Sequence, residues 1–332
     1  MIGFIIRRLI TLIPILFLIS VVSFAIIELP PGDFATYYIE NLRTTGVELS
    51  ADEEERIKHQ FGLGGTAISR YFRWMENIIT EGNFGWSFAW QRPVNEILQE
   101  RLPLTVLFSL LSLIVSWAIA IPIGIYSATH QYSFLDYIFT FIGFIGLATP
   151  AFLLALVMAW AFFRFFNFSA LGLYSAEYID EPMSIEKFID LLKHMVLPIV
   201  LIGLAGTGGT IRVMRGNLLD ELKKPYVVTA RAKGVTEMRL LFKYPVRLAF
   251  NPIISTIGWL LPAIVAGEVL VSIVLSIQTI GPTLLRAVLS QDMFLAGSIV
   301  MVLSTLTVIG SLLSDIALVL LDPRIRYEEN SA

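Results

Sequence analysis

Three stretches of this chain, residues 102–128, 137–163 and 293–314, contain no charged residue. Each is at least as long as the roughly 20 residues a helix needs to cross the hydrocarbon core of a bilayer. In that medium every backbone N–H and C=O must be satisfied inside the protein, which leaves only helices and closed barrels. Barrel strands alternate apolar and polar positions. These runs are apolar throughout, so helices are predicted. Composition agrees: 56% of the 332 residues are hydrophobic and 15% are charged, against about 25% charged in a soluble chain. The sequence thus predicts an all-α polytopic membrane protein and excludes a single soluble enzyme domain.

Chemistry-bearing residues are sparse. The net charge of −3 argues against a nucleic-acid partner. With no cysteine there is no disulfide, thiolate metal site or cysteine nucleophile. His59, His130 and His194 stand far apart without metal-ligand spacing, so each is expected to be a surface or interfacial imidazole. No Gly-x-x-x-x-Gly-Lys-[Ser/Thr] loop occurs to cradle a nucleotide phosphate. No paired carboxylates and no Ser/His/Asp arrangement stand out. The chain is therefore expected to hold no catalytic residue, no metal and no cofactor of its own.

Six spans are predicted. The first, 9–29, follows Arg7-Arg8 and precedes Pro30-Pro31-Gly32-Asp33. It exceeds the about 7–15 apolar residues of a signal-peptide core, so a retained helix is expected. The others are 102–128, 136–164, a glycine-rich fourth at 195–212, 250–275, and 293–321. Glu268 interrupts the fifth without room for a turn, and a short outer segment broken at Gly281-Pro282 follows it. The predicted organisation is one N-terminal helix with a large loop (1–101) and a five-helix core (102–326).

Lysine and arginine placement orients the bundle. The 212–247 loop carries nine bases against three acids, whereas 30–101 carries seven against eleven and 164–193 three against five. Both termini and the 212–247 loop are thus expected in the cytoplasm. The 30–101 loop contains a capping-box pattern at Ser50 and Glu53 and an aromatic run (Tyr71, Phe72, Trp74, Trp86, Phe88, Trp90). That run reads equally as a docking surface or as an interfacial lid. In the cytoplasmic loop, Pro225 suits a first helical turn and Gly234 a C-terminal cap. Thr236 then starts a second helix carrying Leu240, Leu241 and Tyr244 on one side. Such a basic, amphipathic elbow suits a membrane-surface anchor, a folded loop, or a knuckle gripped by a soluble partner.

Thr229-Ala230-Arg231-Ala232-Lys233-Gly234, running on to Asn251-Pro252, resembles the cytoplasmic Glu-Ala-Ala-type loop of ABC importer permeases, nearest the oligopeptide/dipeptide/nickel class. Arg92-Pro93-Val94 through Glu100-Arg101-Leu102-Pro103-Leu104-Thr105 resembles the start of that family's permease domain. Asp322-Pro323-Arg324-Ile325-Arg326 is similar to its C-terminal signature, and Arg7-Arg8-Leu9 to its N-terminus. The resemblance covers essentially the whole chain, in the B-type (first) permease form. It implies a prokaryotic inner-membrane subunit paired with a second (C-type) permease. Two cytoplasmic ATPases that bind ATP and Mg, and an extracytoplasmic substrate-binding protein, complete the system. It also implies that Thr229, Ala230, Arg231, Ala232, Lys233 and Gly234 couple to the ATPase, where Arg231 and Lys233 meet acids of the partner or hold the loop at the cytoplasmic face.

The expected cargo is an oligopeptide or dipeptide. The chain departs from the peptide-class pattern in placing Glu268 a turn early and in reading Ile277-Gln278-Thr279-Ile280-Gly281-Pro282 beyond it. Oligosaccharide or nickel-chelate cargo therefore stays open. Glu268 and Gln278 are the candidate pathway residues near its outer end, and Glu268 reads equally as a structural hydrogen-bonding group facing a neighbouring helix or subunit. A secondary transporter would show duplicated halves, and none is visible.

Overall fold

The computed structural model describes residues 2–28, 34–44 and 66–321, together with Ser50, Glu53, Glu54 and Arg56. The 30–33 turn, His59 and the 322–326 signature lie outside the described residues. The described chain is mostly helical. In order, the helices are α1 (Ile2–Glu28), α2 (Phe34–Thr44), α3 (Ala67–Glu81), α4 (Val94–Thr129), α5 (Phe134–Ala148), α6 (Ala151–Phe166) and α7 (Ile185–Leu222). There follow α8 (Pro225–Ala232), α9 (Glu237–Lys243), α10 (Pro245–Ala249), α11 (Asn251–Ser255), α12 (Ile257–Val274), α13 (Ile280–Leu289) and α14 (Met293–Leu321). A two-residue hairpin pairs β1 (Trp86–Ser87) with β2 (Arg92–Pro93). By length and composition, α4, α7 and α14 are each able to cross a membrane. Residues fall into two compact units, 1–105 with 278–306 and 106–277 with 307–332.

In the first unit, Thr66 caps α3 by accepting from Ser69 N, and Gly82 ends it in a left-handed turn. The aromatic run divides. Tyr71 and Trp74 are buried against Phe24 and Met293, and Tyr71 Oη shares a 2.8 Å hydrogen bond with Ser20 Oγ. Phe72 and Trp86 remain exposed. The Ser50 capping box forms: Ser50 N donates to Glu53 Oε2 (2.9 Å) and Glu53 N to Ser50 Oγ (3.4 Å). Asp292, fully buried, starts α14 by accepting from Leu295 N (3.3 Å). The same carboxylate ties down the hairpin turn, accepting from Ser87 Oγ (2.6 Å) and Ala89 N (3.0 Å).

In the second unit the predicted third span is two helices. Pro150 takes an extended conformation at the start of α6 (φ −59°, ψ 128°), and its ring disfavours helical geometry in Thr149 before it. The two pieces still run antiparallel to α7. Asp136 meets Arg215 at one end, Gly143 faces Gly208 and Gly146 faces Leu204, while the Phe168 ring lies 4.8 Å from His194 at the other.

Helix α7, with 38 residues, overruns the predicted 195–212 at both ends. Ser184 caps its start, and its first turns are polar yet buried because they fasten the preceding segment. Asp190 accepts from Ser175 N and Oγ (2.7 and 2.8 Å) and Lys187 Nζ donates to Ile179 O (3.3 Å). His194, expected at a surface or interface, is instead buried at 1% exposure, its Nδ1 2.9 Å from Asp190 O.

The fifth span also differs from the expected single helix. It is α11 and α12 in succession, preceded by α10, with Pro245 and Pro252 in the first turns of the short ones. The chain turns at 275–279 rather than at Gly281-Pro282. Pro282 lies within the first turn of α13, where its missing N–H has no helical partner to lose.

Candidate functional site

The elbow at 225–243 is built by short-range chemistry. Pro225 occupies the first position of α8, and Thr229 Oγ1 donates to Pro225 O (2.9 Å). Gly234 has φ +78°, a left-handed conformation that costs an L-residue roughly 1–2 kcal/mol. Its N–H donates to Arg231 O (3.0 Å), and Val235 N donates to Ala230 O (3.2 Å). These bonds satisfy the last carbonyls of α8 and let α9 fold back. Thr236 precedes α9 but makes no side-chain cap.

Two apolar anchors hold the elbow down: Val227 and Leu240 are both 0% exposed. Beside them lies a core of Ala128, Met214, Leu218, Val246, Ala249 and Ile253. Thr229, Arg231, Ala232, Lys233 and Gly234 are exposed and Ala230 is half-buried. The six candidate residues thus form one outward-facing patch on anchored helices.

Arg231 is exposed and has an acidic partner within this chain. It forks onto Glu237 across the turn, Nε to Oε1 at 2.6 Å and Nη2 to Oε2 at 3.0 Å. This bond holds the Glu237 carboxyl below its usual pKa. The contribution is therefore present above the ordinary Glu range and lost as pH falls through the depressed value. Burial, reinforced by a hydrogen bond to Glu221, pushes the Tyr226 phenol above its ordinary range.

The elbow follows directly on α7 in the chain. Residues 212–222, expected in the loop, are the last turns of this helix. At that level Arg215 Nη2 donates to Asp136 Oδ2 (2.9 Å), with Asp136 3% exposed. Tyr132 N donates to the same oxygen (3.0 Å). A buried carboxylate stripped of its cation, or the reverse, costs about 3–5 kcal/mol. Arg215 keeps 30% of its side chain exposed, so the low end applies. Asp136→Ala is expected to lower the unfolding free energy of the detergent-solubilised permease by about 3 kcal/mol. The double variant with Arg215→Ala should lose much less than the sum of the singles. Additive losses in that thermodynamic cycle would show that the two side chains do not act as a pair.

The two pathway candidates fall in different units. Glu268 is 0% exposed within α12, and its neighbour Gly267 lines a groove of ≈ 450 Å³ with Gly206, Gly209, Thr210 and Ala263. Gln278 is exposed and accepts from Arg101 Nη2 (2.9 Å). Sequence reasoning also missed Asp136, Arg215 and Asp292. Only Asp292 had a local signal, an acid immediately before an apolar helix.

Comparison with known proteins fits this geometry. Residues 120–327 match the model of the binding-protein-dependent transport system inner membrane component. Residues 1–110 match the N-terminal model of such membrane components. The chain is 33% identical over 328 residues to the oligopeptide transport system permease protein AppB of Bacillus subtilis, covering 98% of this chain and 100% of that one. It is 29% identical to a putative peptide permease of Brucella suis (98% and 99% covered) and 26% identical to the oligopeptide transport system permease protein OppB of Haemophilus influenzae (98% and 100%). The chain belongs to the family of inner membrane components of binding-protein-dependent transport systems. Within that class it is an ABC importer permease of the B type, a transport subunit rather than an enzyme.

Proposed function

We propose that this chain forms half of the translocation pathway of an ATP-driven importer of oligopeptides or dipeptides. It works by alternating access beside a C-type permease, two cytoplasmic ATPases that bind ATP and Mg, and an extracytoplasmic binding protein. Peptide cargo is supported by full-length similarity to proteins named as oligopeptide permeases. In this reading α1, the α5–α6 pair and α12 join α4, α7 and α14 as six crossings, with both termini in the cytoplasm. The N-terminal helix and loop (1–101) precede a five-helix core (102–326) with its coupling loop at 212–247. Gln278 stands at the outer end of the path, and Glu268 lies beside the groove lined by Gly267.

The observation that carries the reading is the exposed 229–234 patch, anchored by Val227 and Leu240 on the continuation of α7. ATPase closure moves this patch, and α7 conveys the movement into the membrane. The Asp136–Arg215 pair keeps α5 in step with it. A lever of this kind works only if its segments are stiff, and packed helices have discrete arrangements rather than continuous compliance.

The chain has no cysteine, so an introduced one is the single thiol of this subunit. Lys233→Cys in the complete transporter is expected to cross-link to an ATPase subunit in a nucleotide-dependent way. Wild-type proteoliposomes should accumulate pentaalanine only with ATP and binding protein present. Absence of cross-linking at 229–234 in a transport-competent complex would sink the coupling assignment.

A further inference from the structure

The Glu100–Thr105 motif marks the start of the permease domain by resemblance, yet the proposed function gives it no task. Its residues fasten α13 to α4. Thr105 Oγ1 donates to Arg101 O (2.9 Å) and accepts from Ile280 N (2.9 Å), capping α13 from another helix. Arg101 Nη1 donates to Thr283 Oγ1 (2.9 Å) and Nη2 to Gln278 Oε1 (2.9 Å). Both acceptors are neutral. Arg101 Nε is enclosed and has no acceptor among the described residues.

The nearby acids are committed elsewhere. Glu100 binds Arg92 (3.1 Å), which also holds Glu96 (3.3 Å). Asp292 is taken up by Ser87, Ala89 and Leu295. A further cation, Arg286, lies 4.9 Å from the centre of the Trp90 ring. Arg101 is thus a half-buried guanidinium bonded to no carboxylate among the described residues, with Arg92 and Arg286 as the cations near it. An arginine satisfied only by neutral oxygens gains when one is exchanged for a carboxylate, since charge-assisted bonds are roughly twice as strong. Gln278 is positioned for that exchange. It is exposed, and once displaced from Nη2 its amide can donate to the incoming anion.

We infer that Arg101 and Gln278 form a carboxylate-receiving site, and that the carboxylate it takes is the C-terminal one of peptide cargo. The inference rests on the peptide reading above. A C-terminal carboxylate is shared by every unmodified peptide, so a single fork with no side-chain pocket grips cargo without regard to sequence. Exchange of one bond for another also keeps the hold weak enough for release.

The test uses the complete transporter in proteoliposomes, with pentaalanine and its C-terminal amide as probes at saturating occupancy of the binding protein. Wild type is expected to take up the free acid faster than the amide. Arg101→Gln should slow uptake of the acid by roughly tenfold while changing the amide little. Arg101→Lys, which keeps the charge but not the fork, should fall between and secures the test if Arg101→Gln fails to assemble. Equal losses for acid and amide, with a higher binding-protein concentration needed for half-maximal ATPase stimulation, would assign Arg101 to a carboxylate of the binding protein and overturn the proposal. An unchanged acid-to-amide ratio in both variants would overturn it as well. Failure of the wild type to transport either peptide would remove the peptide reading itself, and this proposal with it.

Discussion

Gly203→Leu is expected to eliminate the folded permease. A Cβ at Gly203 would lie 2.9 Å from Ser112 O, 3.3 Å from Val115 Cγ1 and 3.5 Å from Ser116 N. The nearest obstacle is backbone of α4, which has no alternative rotamer to retreat into. Between membrane helices the attraction is mostly van der Waals packing at close approach, which small residues permit. Separating α4 from α7 to admit leucine forfeits that contact along the interface. Gly124 faces Met214 across the same helix pair, with a Cβ there only 2.7 Å from Met214 Cβ. Even extra methylenes in a packed core cost typically 1–3 kcal/mol, and leucine adds four carbons against fixed backbone.

The neighbouring glycines supply an internal scale. A Cβ at Gly206 meets only Ser116 Oγ at 3.5 Å, and one at Gly209 meets nothing within 4 Å. Gly206→Ala and Gly209→Ala should therefore express and elute like wild type in size-exclusion chromatography, whereas Gly203→Leu should be lost to aggregation or degradation. A monodisperse, stable Gly203→Leu protein would show that α4 and α7 do not pack as described.

These contacts mark where sequence reading reached and where it stopped. Glycine enrichment in the fourth span was legible as a sign of close helix approach, but not which glycine makes it. Gly203 touches backbone and Gly209 touches nothing, although both lie in the same run. Local rules placed Pro225 and Gly234 correctly, because a missing donor and a positive φ are properties of single residues. The break at Pro150 was hidden because hydropathy does not register a proline inside an apolar run. The Asp136–Arg215 and Arg101–Gln278 bonds join residues 79 and 177 positions apart. No periodicity encodes such a pair. His194 was misjudged for a related reason: its burial depends on Phe168 and on the segment that Asp190 fastens, neither of which is visible from the histidine's own surroundings.

Gly234→Val is expected to leave the permease inserted and folded while uptake falls by more than about tenfold. The separation of these effects follows from the geometry. A Cβ at Gly234 would meet nothing within 4 Å, so no contact inside this chain is lost. What remains is the positive φ of +78°, which costs a branched residue most. That cost acts on the turn between α8 and α9, and in the proposed coupling role the turn determines how Thr229–Lys233 face the ATPase. The anchors Val227 and Leu240 sit on either side of it and keep each helix in place. The damage should therefore appear as a misaligned docking patch rather than as unfolding.

Gly234→Asn separates strain from bulk, because asparagine visits left-handed geometry more readily than other L-residues. If strain alone matters, Asn should recover most of the uptake that Val loses. If the partner surface closes tightly over position 234, both variants should fail, since the open space seen in this chain is then filled in the assembled transporter. The deciding measurements are ATPase co-purification and ATP-driven peptide uptake for each variant, with thermal stability of the isolated permease as control. Wild-type uptake by Gly234→Val would mean that the turn carries no information from the ATPase to α7, and the lever would have to be sought elsewhere in the chain.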